Sequence, residues 1–148
     1  MLTIYGTAAS RTFRTLWMAK ESGVQYEHVP VDFRKGEHKT ADFRKINPNA
    51  HIPAITDGDL VMCESLAINL YLARKYKSAL TPATVEDEGR ATQWSMWALA
   101  EAEPHMVAVL MNRLMLPEDK RDAGAVARAE EAMKAPLKVL DDHLASRQ

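Results

Sequence analysis

Short hydrophobic runs alternate with helical patterns along the first half of the chain. Runs of β-favouring residues, separated by polar or glycine-containing segments, cover residues 2–5, 26–33, 52–56 and 60–63. Hydrophobic residues spaced three and four apart, as on one face of a helix, cover residues 10–23, 41–46 and 64–76. Asp57-Gly58-Asp59 separates the last two strand-like runs, and Asp-Gly at such a position predicts a hairpin. The predicted order is β-α-β-α-β-β-α.

The second half of the chain contains helical patterns without strand signals. Residues 79–88 are polar around Pro82 and predict a linker. Two helices are predicted beyond it, over residues 89–116 and 121–144. We expect a kink at Pro104 and a kink or break at Pro136, because proline cannot donate the helical hydrogen bond. The sequence therefore predicts an α+β domain over residues 1–78, the linker, and an all-α domain over residues 89–148.

The charge and composition of the chain argue against several classes of binding partner. The 148 residues include 19 basic and 20 acidic side chains without a basic cluster, so we expect no nucleic-acid partner. The apolar stretches are far shorter than the roughly 20 residues that cross a bilayer, and the N-terminus lacks a secretory signal pattern. The single cysteine and the spacing of the five histidines predict neither a disulfide nor a metal site. We therefore expect a soluble, cytoplasmic protein with no membrane partner.

The run that opens the third strand contains Ile52-Pro53. Proline cannot donate to the sheet ladder, which leaves an ordinary strand start at an edge, a bulge or a cis peptide bond as interpretations. With a cis bond, the main-chain N–H and C=O of Ile52 would face a ligand in the manner of a peptide edge. The alternative is a strand start without a ligand.

Polar side chains stand at the expected beginnings of two helices. Glu64 and Ser65 precede the helix over residues 64–76, where unpaired N–H groups attract a carboxylate. Ser10 stands before Phe13 and Trp17, where its hydroxyl either caps the helix or hydrogen-bonds to a ligand thiolate. Simple helix capping is the alternative at both places.

Taken together, these segments resemble the soluble glutathione transferases. The motifs that carry the resemblance are Asn47-Pro48 followed by Ile52-Pro53, and Glu64-Ser65-Leu66-Ala67-Ile68. The loop at Ser10-Arg11 and the segment Glu103-Pro104-His105 look most like bacterial members of the serine-type classes. The resemblance implies a thioredoxin-like domain over residues 1–78, followed by a helical domain that is shortened at its C-terminal end.

The resemblance also implies a glutathione site with three anchors. Ile52, before a cis Pro53, would pair with the cysteinyl main chain of glutathione. Ser65 and its helix terminus would hold the γ-glutamyl carboxylate, while Glu64 faces the ammonium group. His38 and Lys39 match a His-Lys pair that reaches the glycyl carboxylate in plant-like members, and His51 stands where a glutamine usually lies in the binding site.

The catalytic hydroxyl implied by the resemblance is that of Ser10. A gapless alignment can also place Ala9 at the catalytic position, which leaves Ser10, Thr7 and Thr12 as candidates. Tyr5 lies within the first strand and is less attractive.

The implied reaction is attack of the glutathione thiolate on a small electrophile. Trp94, Trp97, Glu101 and His105 have spacings of 3, 4 and 4, and would line the electrophile pocket or a homodimer interface. The competing interpretation is a non-catalytic module of the same fold, which associates with proteins and has weak or lost glutathione binding. A glutathione-dependent thiol reductase would require a cysteine within residues 7–12, which contain none.

Overall fold

The structure, a computed structural model, describes residues 1–145. It divides into two compact units, Met1–Glu88 and a second unit that begins at Gly89. No helix among the described residues is long and apolar enough to cross a membrane.

A four-stranded mixed sheet forms the centre of the first unit. Its strands are β1 (Leu2–Tyr5), β2 (Tyr26–Val29), β3 (Ala54–Asp57) and β4 (Leu60–Cys63), in the spatial order β2-β1-β3-β4. β1 runs parallel to β2, whereas the β1–β3 and β3–β4 pairs are antiparallel. The predicted hairpin is confirmed: Gly58, with φ +63°, and Asp59 connect Asp57 to its partner Leu60.

Helices cover both faces of this sheet. The helices of the first unit are α1 (Thr12–Glu21), α2 (Ala41–Ile46) and α3 (Ser65–Lys75). Because side chains alternate along a strand, Ile55 joins the core under α1 and α3, while Ala54 packs with Phe43 of α2 on the opposite face. Two layers of helix therefore enclose β1 and β3, the inner strands.

In the first unit, the bounds of three elements differ from those predicted by two residues or more. β2 ends at Val29 rather than at residue 33, because Pro30 cannot continue the ladder. β3 begins at Ala54 rather than at residue 52, after the cis Ile52-Pro53 bond. α1 begins at Thr12 rather than at residue 10.

Part of the predicted linker is helical. α4 (Val85–Trp97) begins within residues 79–88 because Thr84 caps it: Thr84 Oγ1 accepts the Asp87 N–H at 3.1 Å. Acidic side chains in the first turn also favour this start, since they face the positive end of the helix dipole.

The described residues from Gly89 onward form helices joined by a short connection at residues 116–122, without strands. A π-helical turn, Ala98–Ala102, follows α4 and leads into α5 (Glu103–Leu110), whose second residue is Pro104. A second π-helical turn, Met111–Met115, ends this stretch. The final helix, α6 (Ala123–Ala145), continues through Pro136, which excludes a break there and leaves the predicted kink as the other alternative.

The first π-helical turn interrupts the regular spacing of the four residues predicted to line a pocket or an interface on the long helix. Its extra residue rotates everything after it by about 100°, so Trp94, Trp97, Glu101 and His105 do not follow one α-helical period. Trp94 packs instead within the helical unit. Its ring centroid lies 5.1 Å from that of Trp97 and 4.3 Å from that of His143 on α6.

A buried carboxylate ties the hairpin to the end of α3. Asp57 Oδ2 accepts hydrogen bonds from Lys75 Nζ at 2.7 Å, Tyr76 OH at 2.8 Å and Tyr71 OH at 3.0 Å. Burial alone would raise the pKa of Asp57, but these three donors outweigh it and hold that pKa below its usual range. The Asp57 carboxylate raises the pKa of Lys75 in return, and burial followed by the same carboxylate raises the pKa of Tyr76.

We predict that Asp57→Asn lowers the free energy of unfolding at pH 7 by about 2 kcal/mol, because a charged acceptor of buried hydrogen bonds is lost. The folded pKa of Asp57 lies below its ordinary value of 3.8, so its contribution is complete above that value and is lost as the pH falls through the folded pKa. Urea unfolding of both proteins should show a constant difference near neutral pH that shrinks below about pH 4. Asp59→Asn, an exposed turn position, is the matched control.

Candidate functional site

Three segments of the chain come close together at the residue that follows β1. Gly6 is buried with φ +132°, and a Cβ built there would lie 2.1 Å from Thr12 Oγ1 and 3.1 Å from Ile52 Cβ. Its main chain is also fixed from β2, since Gly6 N–H donates to Val29 O at 3.0 Å and His28 Nε2 lies 2.7 Å from Gly6 O. The start of α1 and the residue before Pro53 thus meet at one glycine.

Ser10 lies in the turn between Gly6 and α1, and its side chain is half-buried. Ser10 Oγ accepts the Thr12 N–H at 3.1 Å. It lies 2.7 Å from Thr7 O and 2.9 Å from Thr12 Oγ1, and its single proton can be donated to one of these at a time. The oxygen of Ser10 is therefore held by a main-chain donor, while its proton can change acceptor.

The other candidate hydroxyls of this loop are less accessible. Thr12 is fully buried, with Oγ1 beneath Gly6. Thr7 Oγ1 is also buried and has no hydrogen-bond partner among the described residues. Tyr5 OH lies 3.5 Å from Thr56 Oγ1, within the sheet. Of these four hydroxyls, the geometry favours Ser10 for contact with a ligand.

The loop before β3 presents the main chain of Ile52. The Ile52-Pro53 peptide bond is cis, and the β1–β3 ladder begins only at Ala54. Asn47, which sequence reasoning missed as a site residue, braces this loop from a buried position: its Nδ2 donates to His51 O at 2.7 Å, and its Oδ1 accepts the Asn49 N–H at 3.1 Å. An Asn-Pro pair just after a helix was the available signal.

β4 passes into α3 through a sharp turn at Glu64. Glu64 adopts φ +70°, a conformation that is unusual for a residue with a Cβ and is found often at functional sites. The first main-chain bond of the helix runs from Ile68 N–H to Glu64 O, so the N–H groups of Ser65, Leu66 and Ala67 have no acceptor within the helix. Ser65 is buried at this terminus, and Glu64 is exposed beside it.

Arg14 is a second residue that sequence reasoning missed. Its Nη1 donates to Ser65 Oγ at 3.3 Å, from one helical turn beyond Ser10 on α1. The spacing of Ser10 and Arg14, four residues apart, is visible in the sequence, but only the packing of α1 against α3 shows which partner the arginine meets.

The remaining predicted side chains lie on either side of α2. His38 and Lys39 belong to a 3₁₀ turn, Glu37–Lys39, where Lys39 is exposed and His38 is half-buried. His38 Nδ1 is buried and has no hydrogen-bond partner among the described residues. His51 follows α2 and is exposed beside Ile52. Across residues 1–145 there is no group of three His, Cys, Asp or Glu side chains that could hold a metal ion.

The sheet order, the cis proline before β3 and the helix terminus after β4 define a thioredoxin-like unit, here followed by a helical one. Residues 1–74 match the family described as glutathione S-transferase, N-terminal domain. The chain belongs to the glutathione S-transferase family.

Individual relatives align with nearly the whole chain. Glutathione S-transferase F9 of Arabidopsis thaliana is 32% identical over 97% of this chain and 69% of its own length. Glutathione S-transferase 3 of Zea mays is 36% identical over 97% of this chain and 67% of its own. The theta class enzyme of Xanthomonas axonopodis pv. citri, solved with glutathione bound, superposes with a TM-score of 0.91 at 32% identity, over 98% of this chain and 70% of its own.

We predict that Gly6→Ala destabilises the fold by about 3 kcal/mol, because a new Cβ meets Thr12 and Ile52 and the backbone angle is unfavourable as well. Gly23→Ala is the matched control: Gly23 also has positive φ, +64°, but a Cβ there would meet no atom within 4 Å. Its expected cost is therefore only about 1 kcal/mol. Equal losses for the two variants in thermal unfolding would contradict the close approach at Gly6.

Proposed function

We propose that this protein is a cytoplasmic, serine-type glutathione transferase that joins glutathione to small electrophiles, or reduces them, by attack of the glutathione thiolate. The observation that carries the proposal is the close approach at Gly6, where Thr12, which follows the loop of Ser10, and Ile52 both lie against the same glycine. A single tripeptide that pairs with Ile52 can place its sulfur beside the start of α1. Membership of the family and the glutathione held by the Xanthomonas relative support the same ligand.

Three parts of the first unit would hold glutathione. The N–H groups at the start of α3 and the Ser65 hydroxyl hold the γ-glutamyl carboxylate, and Glu64 faces its ammonium group. The main chain of Ile52, before cis Pro53, pairs with the cysteinyl residue. Three basic side chains can bind the carboxylate at the glycyl end of glutathione: His38, Lys39 and His51.

Ser10 would act on the sulfur of bound glutathione. When the thiol releases its proton to solvent water, Ser10 reorients its own hydroxyl proton from Thr7 O to the thiolate, while the Thr12 N–H keeps Oγ in place. A hydrogen bond to the charged form lowers the thiol pKa, and each unit is worth about 1.4 kcal/mol. The sulfur electron pair then forms a bond to an electrophilic carbon, and the leaving group departs with the electron pair of the broken bond.

We predict that Ser65→Ala and Ser10→Ala separate binding from chemistry. Ser65→Ala should weaken glutathione binding in calorimetry by about tenfold, the value of one hydrogen bond to a charged group. Ser10→Ala should leave affinity within about twofold but lower turnover of an electrophile by about 100-fold, since the donor that stabilises the thiolate is lost and less of the bound thiol is ionised. Ser95→Ala is the matched control, because the Ser95 hydroxyl donates to Ala91 O within α4.

Two results would contradict this assignment. If folded wild-type protein does not bind millimolar glutathione, the competing interpretation of a non-catalytic association module replaces the transferase. If Ser10→Ala keeps full turnover, the hydroxyl that stabilises the thiolate belongs to another residue of the loop.

We also propose that the protein acts as a homodimer. Large apolar side chains of the second unit are exposed, and patches of this kind are uncommon on monomers. They are Met106, Leu110, Leu114, Leu137, Val139 and Leu144. Sedimentation velocity at micromolar concentration should give a dimer; a monomer at every concentration would contradict the proposal.

A further inference from the structure

Arg14 and Ser65 connect the helix of the catalytic loop with the helix of the carboxylate site. Arg14 is half-buried on α1, and Ser65 is buried at the first position of α3. Their contact, from Arg14 Nη1 to Ser65 Oγ, spans 51 positions of sequence at 3.3 Å. Because α1 and α3 pack on the same face of the sheet, this contact depends on the tertiary fold rather than on local sequence.

The direction of this hydrogen bond is determined by chemistry. A guanidinium group carries donors only and stays protonated at every pH at which proteins fold, so Ser65 Oγ must accept. The hydroxyl proton of Ser65 then cannot point at Arg14. It is left to face another acceptor, and the unpaired N–H groups beside it belong to a terminus that attracts anions.

We propose that Arg14 is a positioning residue for the γ-glutamyl carboxylate: by donating to Ser65 Oγ, it aims the Ser65 proton at that carboxylate. This inference rests on the proposed function, because the carboxylate is that of bound glutathione. In this proposal, Arg14 contacts neither the sulfur of glutathione nor the electrophile. Its loss should therefore affect binding of glutathione and leave the chemical step almost unchanged.

The test uses Arg14→Gln and Arg14→Lys in the full chain, with steady-state kinetics in glutathione at a saturating electrophile. Arg14→Gln should raise KM for glutathione by about tenfold, with kcat within about twofold of wild type. Arg14→Lys keeps the charge but lacks the planar fork, so KM should rise by only about threefold. Lys20→Gln, at an exposed position near the other end of α1, is the matched control and should leave both parameters unchanged.

A double variant distinguishes positioning from an independent contact. If Arg14 acts through Ser65, then Arg14→Gln combined with Ser65→Ala should raise KM by about as much as Ser65→Ala alone, about tenfold. A product of the two single effects, about 100-fold, would show that Arg14 acts by itself and would overturn the proposal.

A glutathione analogue tests the group that is recognised. The analogue has a 4-aminobutyryl group in place of γ-glutamyl, so it lacks only the α-carboxylate. Wild type and Arg14→Gln should use it with equal KM, whereas a general loosening of the α1–α3 packing would weaken both ligands alike and overturn the assignment.

If wild type binds glutathione and Ser65→Ala binds it weakly while Arg14→Gln matches wild type, the inference fails and the proposed function stands. If wild type binds no glutathione, both fail.

Discussion

The absence of a side chain at Gly6 is the constraint on which the candidate site depends. Gly6 continues β1, an inner strand, and is fixed to β2 by the Val29 carbonyl. Only because it has no Cβ can Thr12 and Ile52 both approach it. This close approach fixes the positions of the α1 N-terminus and of the Ile52 main chain relative to the sheet. Mobile loops are not needed to bring these groups together.

Two serines in this unit share one physical arrangement. Ser10 Oγ accepts from the Thr12 main chain, and Ser65 Oγ accepts from the Arg14 side chain. In each case a fixed donor holds the oxygen, so the single hydroxyl proton is directed elsewhere. A hydroxyl held in this way can donate its proton to a negative charge that is present only when the ligand is bound.

Local patterns predicted most of the elements, whereas contacts between distant segments could not be predicted. The strand and helix order of the first unit follows from the hydrophobic periodicity and from the Asp57-Gly58 turn. Both signals depend on neighbouring residues alone, so they can be read without knowledge of the fold. The two missed residues, Asn47 and Arg14, act through tertiary contacts that no spacing rule contains. The start of α4 was missed because a capping threonine and acidic first turn resemble a polar linker when only composition is considered. Of the kink or break expected at Pro136, the break does not occur, since α6 extends to either side of that residue.

The π-helical turn at Ala98–Ala102 marks the place where the long helix can change its length by one residue. A π-helical turn holds one residue more than the α-helical turn that it replaces. Loss of a single residue there would restore a regular helix and leave every later side chain of α5 in its present direction, because the extra residue is already contained in the wider turn. A one-codon deletion within a regular α-helical turn would instead rotate all later side chains by about 100°.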